Sequence, residues 1–239
     1  MNKTIIATLS LLIVCCLNSY GQGQVTRPTK QQMQTNKPKK STPKVTVSEP
    51  DGYINGHGYV DLGLPSGLKW ATCNVGAKSP EEAGDYFAWG ETKPKEKYTK
   101  ENSITSVNSD KKLQSQGIMN TSMRLTMAAD AARVIWQDSW KLPSKADIEE
   151  LITLCEWEWI DNENKGYKVI GKNGNSIFLP ASGYKIGQIV NSDGKNGYYW
   201  SSLAEQYDSN ANGLQFSNDY YNFSWGSRSN GRPIRPVSK

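Results

Sequence analysis

Histidine is the scarcest chemistry-bearing residue in this chain: His57 is the only one among 239 residues. One imidazole excludes every centre that needs two, including a His-rich zinc site, a facial triad with two histidines and an HExxH protease. The G-x-S-x-G elbow of many serine hydrolases is also missing, and His57 sits in an Asn55-Gly56-His57-Gly58 stretch that reads as a turn at the surface. Long apolar runs are few. With 21 Gly, 11 Pro and 24 aromatic residues, eight of them Trp and twelve Tyr, the composition fits neither a helical bundle nor a polytopic membrane protein, and points to a loop-rich, β-containing globule.

The apolar run that does occur, Ile5 to Leu17 behind Lys3, is too short to span a bilayer comfortably and reads as a secretory signal. Ser19-Tyr20-Gly21 offers a cleavage site that leaves Gln22 first, and residues 1–21 are assigned to the signal peptide. Acylation at Cys15 or Cys16, giving an outer-membrane lipoprotein, is the competing reading; it is weakened by the large Val14 before Cys15, and it alone would bring the chain to a membrane. Either way the protein is exported and is secreted or displayed at the cell surface. Residues 22–50, as in QQMQTNKPKKSTPK, hold almost no large apolar side chain. They read as a disordered basic linker, because such a segment buries too little surface to offset its ordering entropy.

The charge divides along the same line. Residues 1–50 carry seven Lys and Arg against one Glu, and residues 51–239 carry 21 against 22, which together give the net +5. The head is nearly neutral, so the basic total gives no reason to expect nucleic acid as a partner. Export leaves Cys73 and Cys155 as the cysteines of the mature chain. An even pair in an oxidising compartment predicts a Cys73–Cys155 disulfide, which over so long a loop stabilises by about 4 kcal/mol in the chain-entropy view. Two buried free thiols are the alternative.

Folded sequence is expected over residues 51–239, as one domain. Tyr59 to Leu64 and Leu68 to Gly76 flank Pro65-Ser66-Gly67 and predict a hairpin, with Gly84 to Gly90 as a third strand. Residues 91–125 read as a long, sparsely packed excursion. A helix over Met127–Trp136 capped by Thr126 is predicted, then another opened by the Ser144-x-x-Asp147 box, with Ile148, Leu151, Ile152 and Cys155 on its buried face. In Glu156 to Trp159, alternation sets a solvated face beside a buried one. Tyr167–Ile170 and Ser176–Leu179 flank the Lys172-Asn173-Gly174-Asn175 turn as a hairpin, and four more strands follow. Strands, then helices, then strands argue for an α+β fold with antiparallel sheets.

The strings YVDLGLPSGLKWATCNVGA, DAARVIWQDSWKLPSKADIEELI, LCEWEW, GYKVIGKNGNSIFLPASGY, GYYWSS and SRSNGRPIRPV, in this order, resemble the Fibrobacter succinogenes major paralogous domain over about residues 53 to 238. That family occurs in exported proteins of Bacteroidetes and Fibrobacteres. Trp140, Leu142, Pro143, Ser144 and Asp147 are also similar to a W-x-L-P-[ST]-x-x-[DE] segment of the C-type lectin-like fold shared with formylglycine-generating enzymes. The resemblance implies a single C-type lectin-like α+β domain with two main helices; of function it implies little.

No catalytic residue, metal ligand set or cofactor is assigned. The EPN and WND tripeptides of calcium-dependent lectins do not occur in the folded part, and the oxygen-bearing loop residues Asn191, Asp193, Asp208, Asn210 and Asp219 read as turn formers. What remains is an aromatic and amide set, Tyr198, Tyr199, Tyr220, Tyr221, Trp225 and Asn222. Rings of this kind stack on the apolar faces of sugars while amides hold the hydroxyls. Because alternation turns about half of these inward, Tyr199, Tyr220 and Asn222 are the candidate ligand contacts. Arg228, Arg232 and Arg235 are expected to tie down the C-terminus by pairing with Asp193 or Asp219. The chain therefore reads as a non-catalytic binding module for an extracellular glycan or surface protein. The alternatives are a structural head without a small ligand and, as a minority reading, an enzyme descended from the formylglycine-generating fold.

Overall fold

β-Branched and aromatic residues at alternating positions form strands, and here they dominate. The structure is a computed structural model that describes residues 45–206 and 209–239. The signal, most of the linker, Cys15, Cys16 and Asp208 lie outside the described residues. Among the described residues strand accounts for 36% and helix for 15%, and they form three sheets, so the α+β, C-type lectin-like expectation gives way to a β-rich fold. Part of the reason is that the predicted helix over Met127–Trp136 does not form as one unit. Asp130 caps rather than continues it: its Oδ1 accepts from the Arg133 N–H at 3.1 Å, leaving a 3-10 turn, Met127–Ala129, and a short helix, Ala131–Trp136.

The first sheet has the order β1 (Gly52–Ile54), β2 (His57–Asp61), β3 (Lys69–Ala71), β12 (Val237–Ser238). The expected hairpin is present, with Val60 opposite Trp70, and the C-terminal strand closes its edge at Val237 opposite Trp70. The second sheet is β4 (Glu156–Ile160), β5 (Gly166–Ile170), β6 (Ser176–Pro180). Its register sets Ile170 opposite Ser176, so the turn at residues 172–175 is where the sequence placed it. The third sheet runs β11 (Tyr221–Ser227), β10 (Asn210–Phe216), β9 (Gly197–Ala204), β7 (Ser182–Ile186), β8 (Ile189–Asp193), with β7 parallel to β9 and the other pairs antiparallel. The third short strand expected over Gly84 to Gly90 reduces to a bridge between Phe87 and Arg232.

Of the four α-helices among the described residues, two lie inside the segment read as a loose excursion: α1 (Ile104–Val107) and α2 (Asp110–Ser115). That segment is packed, since Leu113 and Met119 are buried in one core cluster with Phe87, Trp89, Trp136, Trp140 and Trp200. The short helix after Asp130 is α3. The longest, α4 (Lys145–Leu154), carries the complete capping box: Ser144 Oγ accepts from the Asp147 N–H and Asp147 Oδ2 accepts from the Ser144 N–H. Its Ile148 and Leu151 enter a second cluster with Val60, Trp70, Val169, Ile177, Tyr199 and Phe216. The packed chain also reaches back to Val45, which is buried, and Ser48, which exchanges hydrogen bonds with Ser176, so Val45–Pro50 belong to the folded part rather than the linker.

The C-terminal arginines are held differently from the expected Asp193 or Asp219 pairs. Arg228 pairs with Asp110 at 2.7 Å. Arg232 lies over the Trp200 ring, 4.2 Å from its centroid, and across Gly226, where a Cβ would meet Nη2 at 1.8 Å. Burial pushes the Arg232 guanidinium down to about 10. Arg235, 1% exposed, donates through Nε to Asn74 Oδ1 at 2.8 Å, through Nη1 to the Ala71 and Thr72 carbonyls at 3.0 Å each, and through Nη2 to the Phe178 carbonyl at 2.8 Å. Arg235→Met strands those four buried acceptors, so the chain should lose about 3–5 kcal/mol; an unchanged urea midpoint would contradict this role.

His57 opens β2 instead of lying in a turn, and its ring stacks on Trp136 with centroids 3.8 Å apart. Burial lowers its pKa from 6.5, so the folded state favours neutral imidazole. The sign follows: His57 adds no pH dependence well above its unfolded pKa. As pH falls through 6.5 toward the lower folded value the unfolded chain takes up the proton first, and stability declines. His57→Phe should flatten that limb in melting curves from pH 7.5 to 5.

Candidate functional site

Strand β11 decides which of the candidate aromatics meet, because side chains alternate between its two faces. Asn222 and Ser224 share one face. Tyr221, Phe223 and Trp225 share the other. On the first face Gln215 lies opposite both Asn222 and Tyr198, and Gln215 Nε2 donates to the Tyr220 hydroxyl at 2.7 Å. Tyr198 meets Tyr184 edge-on at 4.8 Å. The structure thus brings Tyr220 and Asn222 together, with Tyr220 36% exposed. Tyr199 does not join them. It is 2% exposed, stacks toward Phe216 and gives its hydroxyl to the Pro180 carbonyl at 2.8 Å, because its position in β9 points it into the core.

The opposite face borders a groove. This groove, of about 540 Å³, is lined by Leu203 of β9, Asn212 of β10, Phe223 of β11, Lys145 of α4, and Asp110 and Glu205. Trp225 stands beside it: Asn212 is its cross-strand partner and Phe223 its neighbour two residues back on the same face. With 60% of its surface exposed, Trp225 leaves much of its indole to solvent. Lys145 Nζ lies 5.6 Å from the Phe223 centroid, and Asn212 Nδ2 is fixed by the Ala204 carbonyl at 3.1 Å. The arrangement is an apolar floor, an exposed ring at one side and amide, ammonium and carboxylate groups around it. Trp225 already stands out in sequence; Leu203, Asn212, Lys145, Asp110 and Glu205 do not, since they converge only through the pairing of β9, β10 and β11 and the seating of α4.

Among the described residues no group of three or more His, Cys, Asp or Glu is placed to hold a metal ion, and no helix is long and apolar enough to cross a membrane. Of the oxygen-bearing loop residues, Asn191 and Asp193 lie in β8, Asn210 opens β10, and Asp219 accepts from the Ser217 hydroxyl. Asp208 lies outside the described residues.

A family model whose description is "Domain of unknown function (DUF8237)" matches residues 137–237. The matched stretch runs from the end of α3 to β12 and contains α4 and all of the second and third sheets, hence Trp225 and most of the groove. No curated protein and no solved structure matches the chain.

Cys73 and Cys155 are both free and half-buried, so the expected bridge is not made. Cys73 follows β3 and takes a weak contact from Thr72 Oγ1 at 3.7 Å. Cys155 is the C-cap of α4, and burial, with Glu150 adding to it, pushes its thiol up to about 11. Denatured without reductant, the chain should therefore react at both thiols. In the native state at pH 8, Cys155 should be alkylated about ten-fold or more slowly than an unstructured cysteine, because so little of it is thiolate. Absence of both thiols in the unreduced, denatured chain would restore the disulfide.

Proposed function

We propose that this chain is an exported, non-catalytic binding module whose ligand is a glycan, seated in the groove of Leu203, Asn212 and Phe223 with Trp225 at its side. The observation that carries the reading is Trp225: a large ring left 60% exposed next to a concave, polar-rimmed groove. Exposing an indole forgoes burial that Trp70, Trp89, Trp136, Trp140 and Trp200 attain nearly completely and that Trp157 and Trp159 attain in part. A flat ring beside fixed amide and charged groups suits a sugar, whose C–H face stacks while its hydroxyls take the hydrogen bonds. Membership of the exported paralogous-domain family, suggested by the strings quoted above, belongs to the same proposal.

Two carboxylates line the groove, which raises glycoside hydrolysis as a reading. Asp110 is committed to Arg228 at 2.7 Å, and Glu205 Oε1 accepts from the Gln206 N–H at 3.0 Å. Both are thus engaged within the protein, which favours binding without turnover. A protein ligand is the second reading. Ile186 and Ile189, 51% and 69% exposed, face each other at the tip of the β7–β8 hairpin, an apolar pair suited to a protein surface.

A glycan array probed with the full chain tests the proposal. Trp225→Ala should weaken any glycan hit by about thirty-fold, roughly 2 kcal/mol, and leave the melting temperature nearly unchanged because the ring is exposed. Tyr220→Ala, on the opposite face, should leave binding intact. Equal binding by the Trp225 variant would move the site elsewhere, and release of reducing ends from a bound oligosaccharide would overturn the non-catalytic reading.

A further inference from the structure

Next to the groove lies a second, smaller cleft of about 230 Å³, lined by Arg124, Arg133 and Lys141 together with Thr126, Ser144 and Ser202. Among the described residues, none of the three cations takes part in an ion pair. The carboxylate in the lining, Asp130, is buried, and both its oxygens are in use: Oδ1 takes the Arg133 N–H and Oδ2 the Leu142 N–H at 2.9 Å. The cleft therefore presents three cationic side chains against one carboxylate, which is buried and acts on Arg133.

Each cation is set on fixed backbone. Arg124 bridges Leu203 in antiparallel fashion, with the Leu125 N–H on the Ser202 carbonyl at 2.9 Å and the Ala204 N–H on the Met123 carbonyl at 2.8 Å. Lys141 exchanges both backbone bonds with Val237, at 3.0 and 2.9 Å. Arg133 projects from α3, with Nη1 on the Asp138 carbonyl at 3.3 Å. Ser144, the cap of the ten-residue α4, brings the positive end of that helix to the cleft.

The cleft and the groove are linked by the chain itself. Met123 lines the groove and Arg124 the cleft; Leu203 the groove and Ser202 the cleft; Lys145 the groove and Ser144 the cleft. Three pairs of consecutive residues, each with Cα atoms about 3.8 Å apart, thus divide between the two depressions and form the wall between them. Because consecutive side chains on extended backbone point to opposite faces, a glycan occupying both depressions has to cross the rim of that wall.

We propose that the cleft of Arg124, Arg133 and Lys141 is an oxyanion subsite, and that the glycan held beside Trp225 is an acidic one carrying a sulfate ester or a carboxylate. This rests on the glycan reading of the groove and specifies its ligand. Arginine is suited to either group, since its planar fork meets two oxygens at once.

Affinity electrophoresis and calorimetry of the full chain against three polysaccharides test it: a sulfated galactan, polygalacturonate and a neutral β-glucan. Binding should favour one or both acidic chains over the neutral one and weaken as salt rises; the stronger of the two acidic arms identifies the group. Arg124→Gln combined with Arg133→Gln should cost about ten-fold on the acidic ligand, with unchanged melting. Should the double variant fail to fold, the salt dependence of the unmodified chain and the single variant Lys141→Gln carry the test. Acidic and neutral polysaccharides bound equally, or acidic binding insensitive to both salt and these substitutions while Trp225→Ala still abolishes it, would overturn the oxyanion subsite and leave the groove standing. Failure to bind any of the three, together with silence on the array, would remove the glycan reading itself.

Discussion

The constraint on which this architecture depends is the burial of the Arg235 guanidinium without a carboxylate beside it. A cation taken from water has to recover its solvation inside the protein, and here neutral oxygens from three places supply it: the end of β3 at Ala71 and Thr72, Asn74 just beyond, and Phe178 in β6. The first and second sheets are thereby tied to one side chain near the C-terminus. The segment around it must then run through the interior. Val75 takes the Ile234 carbonyl, Trp200 the Pro233 carbonyl, and Phe87 and Arg232 exchange both backbone bonds. Strand β9, which carries part of the groove, is therefore positioned against the same segment that Arg235 anchors.

Burial of this kind explains why the acidic partners expected for the arginines were the wrong ones. A count of charges suggests Asp193 or Asp219, both in polar stretches near in sequence. The interior offers carbonyls and rings instead: Arg232 rests on Trp200 and Tyr198, and only Arg228 finds a carboxylate, Asp110, 118 residues away. Gly226 is part of the same solution, since any side chain there would occupy the space of the Arg232 guanidinium.

What sequence could read were the features closed within a few residues. The Ser144 and Asp147 box, the turn over residues 172–175 and the alternation in Glu156 to Trp159 involve neighbours, and each is present in the structure. What it misread depended on distant partners. Nothing local shows that Leu113 and Met119 are buried in one cluster with Trp89 and Trp200, so residues 91–125 looked unpacked. Nor does composition show that Asp130 will cap a helix and hold Leu142, which shortens α3 and tilts the balance from helix toward strand. The placement of the candidate residues divides on the same ground. Alternation separates Asn222 from Trp225, but only the third dimension says that the Trp225 face borders the groove and that Tyr199 points into the core.

Net charge misleads in the same way. The head carries 21 basic and 22 acidic residues, which gives no hint of an electropositive surface. What a ligand meets, however, is local potential rather than the sum. The acids that form ion pairs in the described part do so elsewhere: Glu91 with Lys95, Glu149 with Lys145, Asp161 with Lys165, Asp110 with buried Arg228. Asp130 is turned inward to serve two backbone N–H groups, and burial raises its pKa, which makes its charge costly in the folded state. Arg124, Arg133 and Lys141 thus face one cleft in which the buried Asp130, whose charge acts on Arg133, is the carboxylate of the lining, in a domain whose total charge is close to zero. The same fold that turns one carboxylate inward as a helix cap thereby leaves three cations against a single buried acid in the cleft.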